Sequence, residues 1–294
     1  ETYRIIGEAY DYVEKREAWC EDVTSVCDVA VVAATAVTLN RAHEESENGA
    51  ARMLMEMHVP FDIIDPTMDL GKYRLLVLPD RVRVSPEFRR KLEAFVADGG
   101  AIIASYRSGL GEDGAFALDF GLTAGGPSRW DTEYLVVGDA VARDQVRTPY
   151  ICYEAGLVTG VVDADVLAAV YKPYFNRTWG RFCGHRNTPP EDDAGYPGVT
   201  RKGACIYFAH PLFRMYQTKG MQLYRDLFRN CFELLYTDPL FTADYPSCGR
   251  VSVMRQDNEN RTVIHLLYAN PIKRGSVEVI EDLVPVYDIP VTLK

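Results

Sequence analysis

The chain lacks a nucleophile elbow. No Gly-x-Ser-x-Gly or Gly-x-Cys-x-Gly frames a serine or cysteine in its 294 residues, and no histidine stands close in sequence to activate one. It also lacks a surplus of positive charge: a net charge of −10, with no basic stripe interleaved with aromatics, argues against nucleic acid or an anionic membrane as partner. Long apolar runs are missing as well, since the stretch 29–37 falls well short of the roughly 20 residues a membrane helix needs, and residues 1–28 do not have the pattern expected of a signal peptide. The seven cysteines are odd in number and irregular in spacing, so a disulfide framework is excluded and a reducing, cytoplasmic setting is expected. Only Cys183 and His185 lie close enough to suggest a metal, and without a second pair of ligands neither a metal site nor a cofactor is expected. Asn176-Arg177-Thr178 matches a glycosylation acceptor, which matters only in a secretory context.

What is present is an alternating α/β pattern, clearest over residues 40–109. Asn40 can cap a helix opening His43-Glu44-Glu45, with Ala50, Ala51, Leu54 and Met57 at helical spacing. Residues 61–65 alternate like a strand, and the apolar run 73–79 has the length of a strand buried on both faces. Ser85-Pro86-Glu87 supplies an N-cap, a first-turn proline and a first-turn acid to a helix with Phe88, Leu92, Phe95 and Val96 inward. Gly99-Gly100 closes that helix, and 101–105 is the next buried strand. Strands alternating with helices imply right-handed crossovers and a parallel sheet, whose ligand sites lie beyond the carboxyl ends of the strands. That edge offers Asp80-Arg81 and Ser105-Tyr106-Arg107-Ser108-Gly109.

Outside this stretch, residues 1–27 read as a lead-in helix or linker from an upstream domain, because Tyr3, Ile6, Tyr10 and Val13 recur at helical spacing. Residues 28–33 are the first strand. A Gly-, Ala- and Asp-rich loop is expected over 110–130, then strands at 134–137 and 161–170, a strand at 203–209, and one helix over 216–236. After Pro246 the pattern turns all-β: a hairpin with its turn at 257–260, then strands at 277–280 and 284–293, which together are too few for a complete sandwich. The division is therefore 1–27, an α/β domain over 28–245, and the start of a C-terminal β-domain over 246–294. A chain that begins with Glu within a helical pattern is expected to be a piece of a longer protein.

The element order through 28–236 resembles the class I glutamine amidotransferase-like domain that follows the catalytic barrel of many glycoside hydrolases, known as the β-galactosidase trimerisation domain. Tyr-Arg-Leu-Leu-Val-Leu-Pro-Asp at 73–80, the helix ending Phe95-Val96-Ala97-Asp98-Gly99-Gly100, and the strand leading to Ser108-Gly109 carry this likeness. Pro173-Tyr174-Phe175-Asn176-Arg177-Thr178, Glu259-Asn260-Arg261 with His265-Leu266-Leu267-Tyr268, and Lys273-Arg274-Gly275 with residues 278–282 resemble the C-terminal part of the α-L-fucosidase-like group called hypothetical glycosyl hydrolase 6. The resemblance implies a flavodoxin-like, doubly wound parallel sheet followed by a partial β-sandwich. It also implies an upstream (β/α)8 barrel of the same protein that carries the sugar chemistry, and assembly into a homo-oligomer. The amidotransferase relatives need a cysteine nucleophile where this chain has Ser105-Tyr106-Arg107-Ser108, so the domain is expected to be catalytically empty.

The sharper readings of single residues compete with plainer ones. Ser108 is an inert turn hydroxyl without a base. His43 is a surface residue at a helix start, His265 a packing residue within a hairpin, and His210 either orients a ligand or is satisfied by backbone. The carboxylate pairs Glu44/Glu45 and Glu278/Glu281 are sequence neighbours that nothing aims into one cleft. The remaining candidate is the aromatic and cationic stretch 174–190. Tyr174, Asn176, Arg177, Phe182 and His185, with His210, are the ligand-binding candidates, because aromatic faces stack on sugar rings while Asn, Arg and His orient hydroxyls. In the plainer version Phe175, Trp179 and Phe182 pin a long loop to the sheet. A carbohydrate-binding module and a stand-alone small hydrolase or amidotransferase are the alternatives to a non-catalytic assembly region.

Overall fold

The computed structural model describes residues 1–38 and 43–294, so the expected Asn40 cap lies outside the described residues. Its centre is a mixed nine-stranded sheet. In spatial order the strands are Asp62–Ile64, Val29–Val32, Leu75–Leu78, Ala101–Ser105, Cys205–Phe208, Pro190–Lys202, Asp165–Pro173, Glu133–Val137 and Tyr150–Cys152. The first five are mutually parallel, and from Pro190–Lys202 onward every pairing is antiparallel. The expected parallel sheet therefore accounts for five strands, and the other four make it a mixed one.

The four inner parallel strands are almost wholly apolar because both faces are covered, whereas the edge strand Asp62–Ile64 leaves Ile63 exposed. Val29, Val31, Leu75, Val77, Ile103, Ile206 and Phe208 share one core with the helices Glu44–Glu56, Leu212–Lys219 and Gln222–Leu235. Ala30, Val32, Leu76, Leu78, Ile102, Ala104 and Tyr207 point the other way, onto helix Pro86–Ala97 and the segment carrying Leu118 and Phe120. Helix Pro86–Ala97 starts as its sequence requires, with the Ser85 hydroxyl accepting from the Phe88 N–H at 3.1 Å. The expected single helix over 216–236 is two, separated where Gly220 takes the left-handed conformation at φ 64°.

Three further readings are corrected. The expected loop 110–130 seats Leu118 and Phe120 in the core and contains the strand Leu122–Pro127, paired with Leu157–Val161. The expected strand 161–170 is two strands in different sheets, Leu157–Val161 and Asp165–Pro173. The C-terminal run 284–293 is ordered as a strand only at Val291–Leu293, paired with Phe241–Ala243, since Pro285 and Pro290 deny it ladder donors. Arg250–Gln256 and Arg261–Leu267 form the expected hairpin, and Val23–Ser25 adds a third strand to it. Helix Thr2–Glu14 buries none of its residues. Among the described residues no helix is long and apolar enough to cross a membrane.

Candidate functional site

The carboxyl edge of the parallel strands is filled by the protein's own chemistry. Asp80 follows Leu75–Leu78 with φ 48°, and Tyr106 follows Ala101–Ser105 with φ 51°, so two adjacent strands end in strained, left-handed turns. In catalytic α/β folds a nucleophile stands on such a turn. Here that place holds a buried phenol ring, with the guanidinium carbons of Arg81 and Arg107 at 5.5 and 5.2 Å from its centroid. Ser108 is fully buried and its hydroxyl accepts from the Val82 N–H at 3.0 Å, which leaves it no room to attack a substrate.

Asp80 is itself committed to structure. Its carboxylate accepts from the Ser105 hydroxyl at 2.6 Å and from the Arg214 N–H at 2.8 Å, in the first turn of helix Leu212–Lys219. Burial pushes its pKa up against those hydrogen bonds, which pull it down. The carboxylate thus seats the helix N-terminus over the strand ends. Helix Glu44–Glu56 closes on the same helix through Gly49, where a Cβ would stand 2.0 Å from the Phe213 carbonyl oxygen.

A second buried acid sits where the parallel and antiparallel halves meet. Glu133, at the head of Glu133–Val137, accepts from His210 Nε2 at 2.9 Å, from the Ser128 hydroxyl at 2.7 Å, from the Gly156 N–H at 2.8 Å and from the Tyr196 hydroxyl. Burial alone would raise its pKa, but the bonds from His210, Ser128 and Tyr196 prevail and hold it at about 2. His210 is therefore satisfied by a side chain rather than by backbone, while its Nδ1 is buried without a hydrogen-bond partner among the described residues. This His–Glu pair is enclosed, with both side chains fully buried. Sequence places Asp80 at the strand edge but does not join it to Arg214, 134 residues away, and it does not single out Glu133, whose partner His210 stands 77 residues away.

The remaining candidates lie beyond that edge, at the tip joining Asp165–Pro173 to Pro190–Lys202, since Val199 pairs with Phe208 at the end of the last parallel strand and residues 190–198 run on past it. Asn176 is built into the tip: its amide donates to the Arg129 carbonyl at 2.7 Å and accepts from the Asp131 N–H at 3.0 Å. Arg177 donates to the Arg186 carbonyl at 2.6 Å, and Thr178 and Arg181 exchange two backbone bonds at 2.9 and 3.2 Å that make a tight turn. Asn176, Arg177 and Arg186 line a cleft of about 290 Å³ with Asp131, Thr132 and Thr188. His185 is exposed beside it, and Cys183 donates to the backbone carbonyl of His185 at 3.3 Å; no cluster able to hold a metal occurs among the described residues. His210 is not part of this group.

Aromatic anchoring is not what holds the tip. Trp179 is 96% exposed, Phe182 72% and Tyr174 53%, so hydrogen bonds fix the backbone while these rings project into solvent. Only Phe175 is partly covered, with Arg181 4.7 Å over its ring.

Residues 51–119 match the β-galactosidase trimerisation domain. The β-galactosidase GanA of Bacillus subtilis is 30% identical over 135 residues, covering 43% of this chain and 20% of that protein. The β-galactosidase GalA of Bacillus licheniformis is 37% identical over 59 residues, covering 20% of this chain and 9% of its own length. Among solved structures, the α-L-fucosidase isoenzyme 2 from Paenibacillus thiaminolyticus superposes with a TM-score of 0.91 at 34% identity, over 99% of this chain and 46% of that one. A β-galactosidase from Bacillus circulans sp. alkalophilus shares the fold at TM-score 0.56 and 20% identity, over 80% of this chain and 34% of its own. The chain thus spans a fifth or less of these curated relatives and under half of either solved neighbour. The family match, the β-galactosidase relatives and the fucosidase likeness bear out the resemblance, read from the sequence, to a domain associated with glycoside hydrolases.

Proposed function

We propose that the chain is a non-catalytic region of a glycoside hydrolase, which joins copies of the protein into a homo-oligomer and shapes a sugar site whose reacting carboxylates lie on a (β/α)8 barrel elsewhere in the same polypeptide. The observation that carries this reading is the sealed carboxyl edge. Asp80 and Glu133, the acids placed where an α/β fold would act, spend their acceptor capacity on a helix N-terminus and on a buried histidine. The match to a trimerisation domain supports the assembly role, and the likeness to a fucosidase and to β-galactosidases supports the setting in carbohydrate metabolism. The covered parallel strands and their strained strand-end turns support a flavodoxin-like, amidotransferase-like ancestry.

The test is turnover. The isolated chain is expected to hydrolyse neither nitrophenyl glycosides nor glutamine; turnover abolished by Ser108→Ala or His210→Ala would overturn the proposal and favour a stand-alone hydrolase or amidotransferase. A second reading, carbohydrate binding by the tip, is favoured by the projecting Tyr174, Trp179 and Phe182 beside a polar cleft. Its measure is the change in Trp179 fluorescence on titration with oligosaccharides, and an unchanged spectrum would remove it.

A further inference from the structure

Two exposed apolar surfaces of opposite charge stand on different elements of the chain. The tip 174–190 contains Arg177, Arg181 and Arg186 and no acid, so it contributes +3 to a chain whose other residues sum to −10 − 3 = −13. Arg129 joins it, stacked 4.5 Å over Trp130. None of these four guanidiniums forms an ion pair among the described residues. Arg177, Arg181 and Arg186 flank Trp179 and Phe182 in sequence, and a hydrogen-bonded turn holds these two rings out in water. Exposed tryptophan flanked by arginine on a fixed backbone is the composition of an interface hot spot, and the fixed backbone lowers the entropy lost on docking.

The complement lies near the C-terminus. Residues 278–288 carry Glu278, Glu281, Asp282 and Asp288, and no Lys or Arg occurs from 275 to 293. Arg274 pairs with Glu281, whereas Glu278, Asp282 and Asp288 form no ion pair among the described residues. Leu283 and Tyr287 are 76% and 77% exposed, and Ile280 and Val284 are exposed as well. The segment is a strap: Val277–Val279 pairs with Ile272–Arg274 at one end and Val291–Leu293 with Phe241–Ala243 at the other, and between them Val286 and Ile289 are half-buried while Ile280, Leu283, Val284 and Tyr287 stay exposed.

We infer that the tip of one copy docks on the acidic strap of a second copy, with Trp179 and Phe182 against Leu283 and Tyr287 and the arginines against Glu278, Asp282 and Asp288. This rests on the self-association proposed above and names the surfaces that perform it. Charge decides which surfaces meet. Two tips facing each other across a two-fold axis would oppose three arginines to three, and two straps would oppose acids to acids. The contact therefore pairs unlike surfaces, made reciprocally about a two-fold axis or head-to-tail in a ring. Both surfaces are charged, so association weakens as salt rises.

Sedimentation of the full chain tests this with charge exchange. Arg177→Glu/Arg181→Glu, and separately Glu278→Lys/Asp282→Lys, are expected to raise the dissociation constant about tenfold or more, and the four changes combined in one chain to restore association. The residues are exposed, so an unchanged unfolding temperature confirms folding in each variant. Association untouched by the tip variant and by Trp179→Ala would overturn the inference while leaving the proposed self-association intact. Loss in both charge variants without restoration in the combined one would overturn the named pairing. A single chain at every concentration would overturn the self-association reading itself, and loss of oligosaccharide binding with the oligomer kept would assign the tip to sugar instead.

Discussion

The carboxyl edge and the tip are both rich in polar side chains, yet they use them in opposite ways. At the edge, Asp80 and Glu133 are buried and bonded to groups of the same chain, so the polarity is spent on holding helix Leu212–Lys219 and His210 in place. At the tip, Asn176, Arg177 and Thr178 fix the backbone while Trp179 and Phe182 are left for something outside the chain. A cluster of titratable groups at the expected ligand position of an α/β sheet is therefore no measure of function. What matters is whether its hydrogen-bonding capacity is already used.

The contrast predicts a graded set of substitutions. The largest loss belongs to Glu133→Gln, which removes a buried charge facing His210 and turns an amide donor toward hydroxyl and N–H donors; about 3–5 kcal/mol of stability should disappear in chemical denaturation. The same residue sets a pH dependence. Its folded pKa of about 2 lies below the ordinary carboxylate value, so its contribution is complete above pH of about 4.5 and is lost as pH falls toward 2. Unfolding measured from pH 6 to pH 2 should show that acid limb in the natural chain and lack most of it in the Gln variant.

Gly49→Ala ranks next. A Cβ 2.0 Å from the Phe213 carbonyl forces helices Glu44–Glu56 and Leu212–Lys219 apart, at a cost of about 1–3 kcal/mol. An unfolding temperature equal to that of the natural chain would mean that the two helices do not seal the edge as described. Asn176→Ala sharpens the comparison within the tip itself, since this residue is strut rather than presented surface. It should cost about 1 kcal/mol through two lost bonds to the 129–131 segment and speed hydrogen exchange at the Asp131 amide.

Legibility in the sequence followed the same division. The inner parallel strands could be read because each is a nearly continuous apolar run of strand length, the edge strand Asp62–Ile64 because its residues alternate, and helix Pro86–Ala97 because Ser85, Pro86 and Gly99 mark its ends. Of the antiparallel half, Glu133–Val137 and part of Asp165–Pro173 could be read, while Pro190–Lys202 and Tyr150–Cys152 were hidden. Pro190–Lys202 contains two prolines and two glycines beyond an acidic start, and its pairing with Asp165–Pro173 shifts register at four places, so neither propensity nor alternation marks a strand there. The tip could be located from its aromatics and arginines, but its exposure could not, because composition does not say whether a ring faces the sheet or the solvent. The Glu133–His210 pair left no local signal at all, being joined only by the fold.

The account turns on Trp179 being presented rather than packed, and the unfolding temperature of the Trp179→Ala chain, at a concentration where single chains prevail, measures that directly. With the ring 96% exposed, the substitution should change stability by less than about 0.5 kcal/mol and leave the unfolding temperature within about 2 °C of the natural chain. A fall of several degrees would show that Trp179 holds the tip onto the sheet, and would contradict the account.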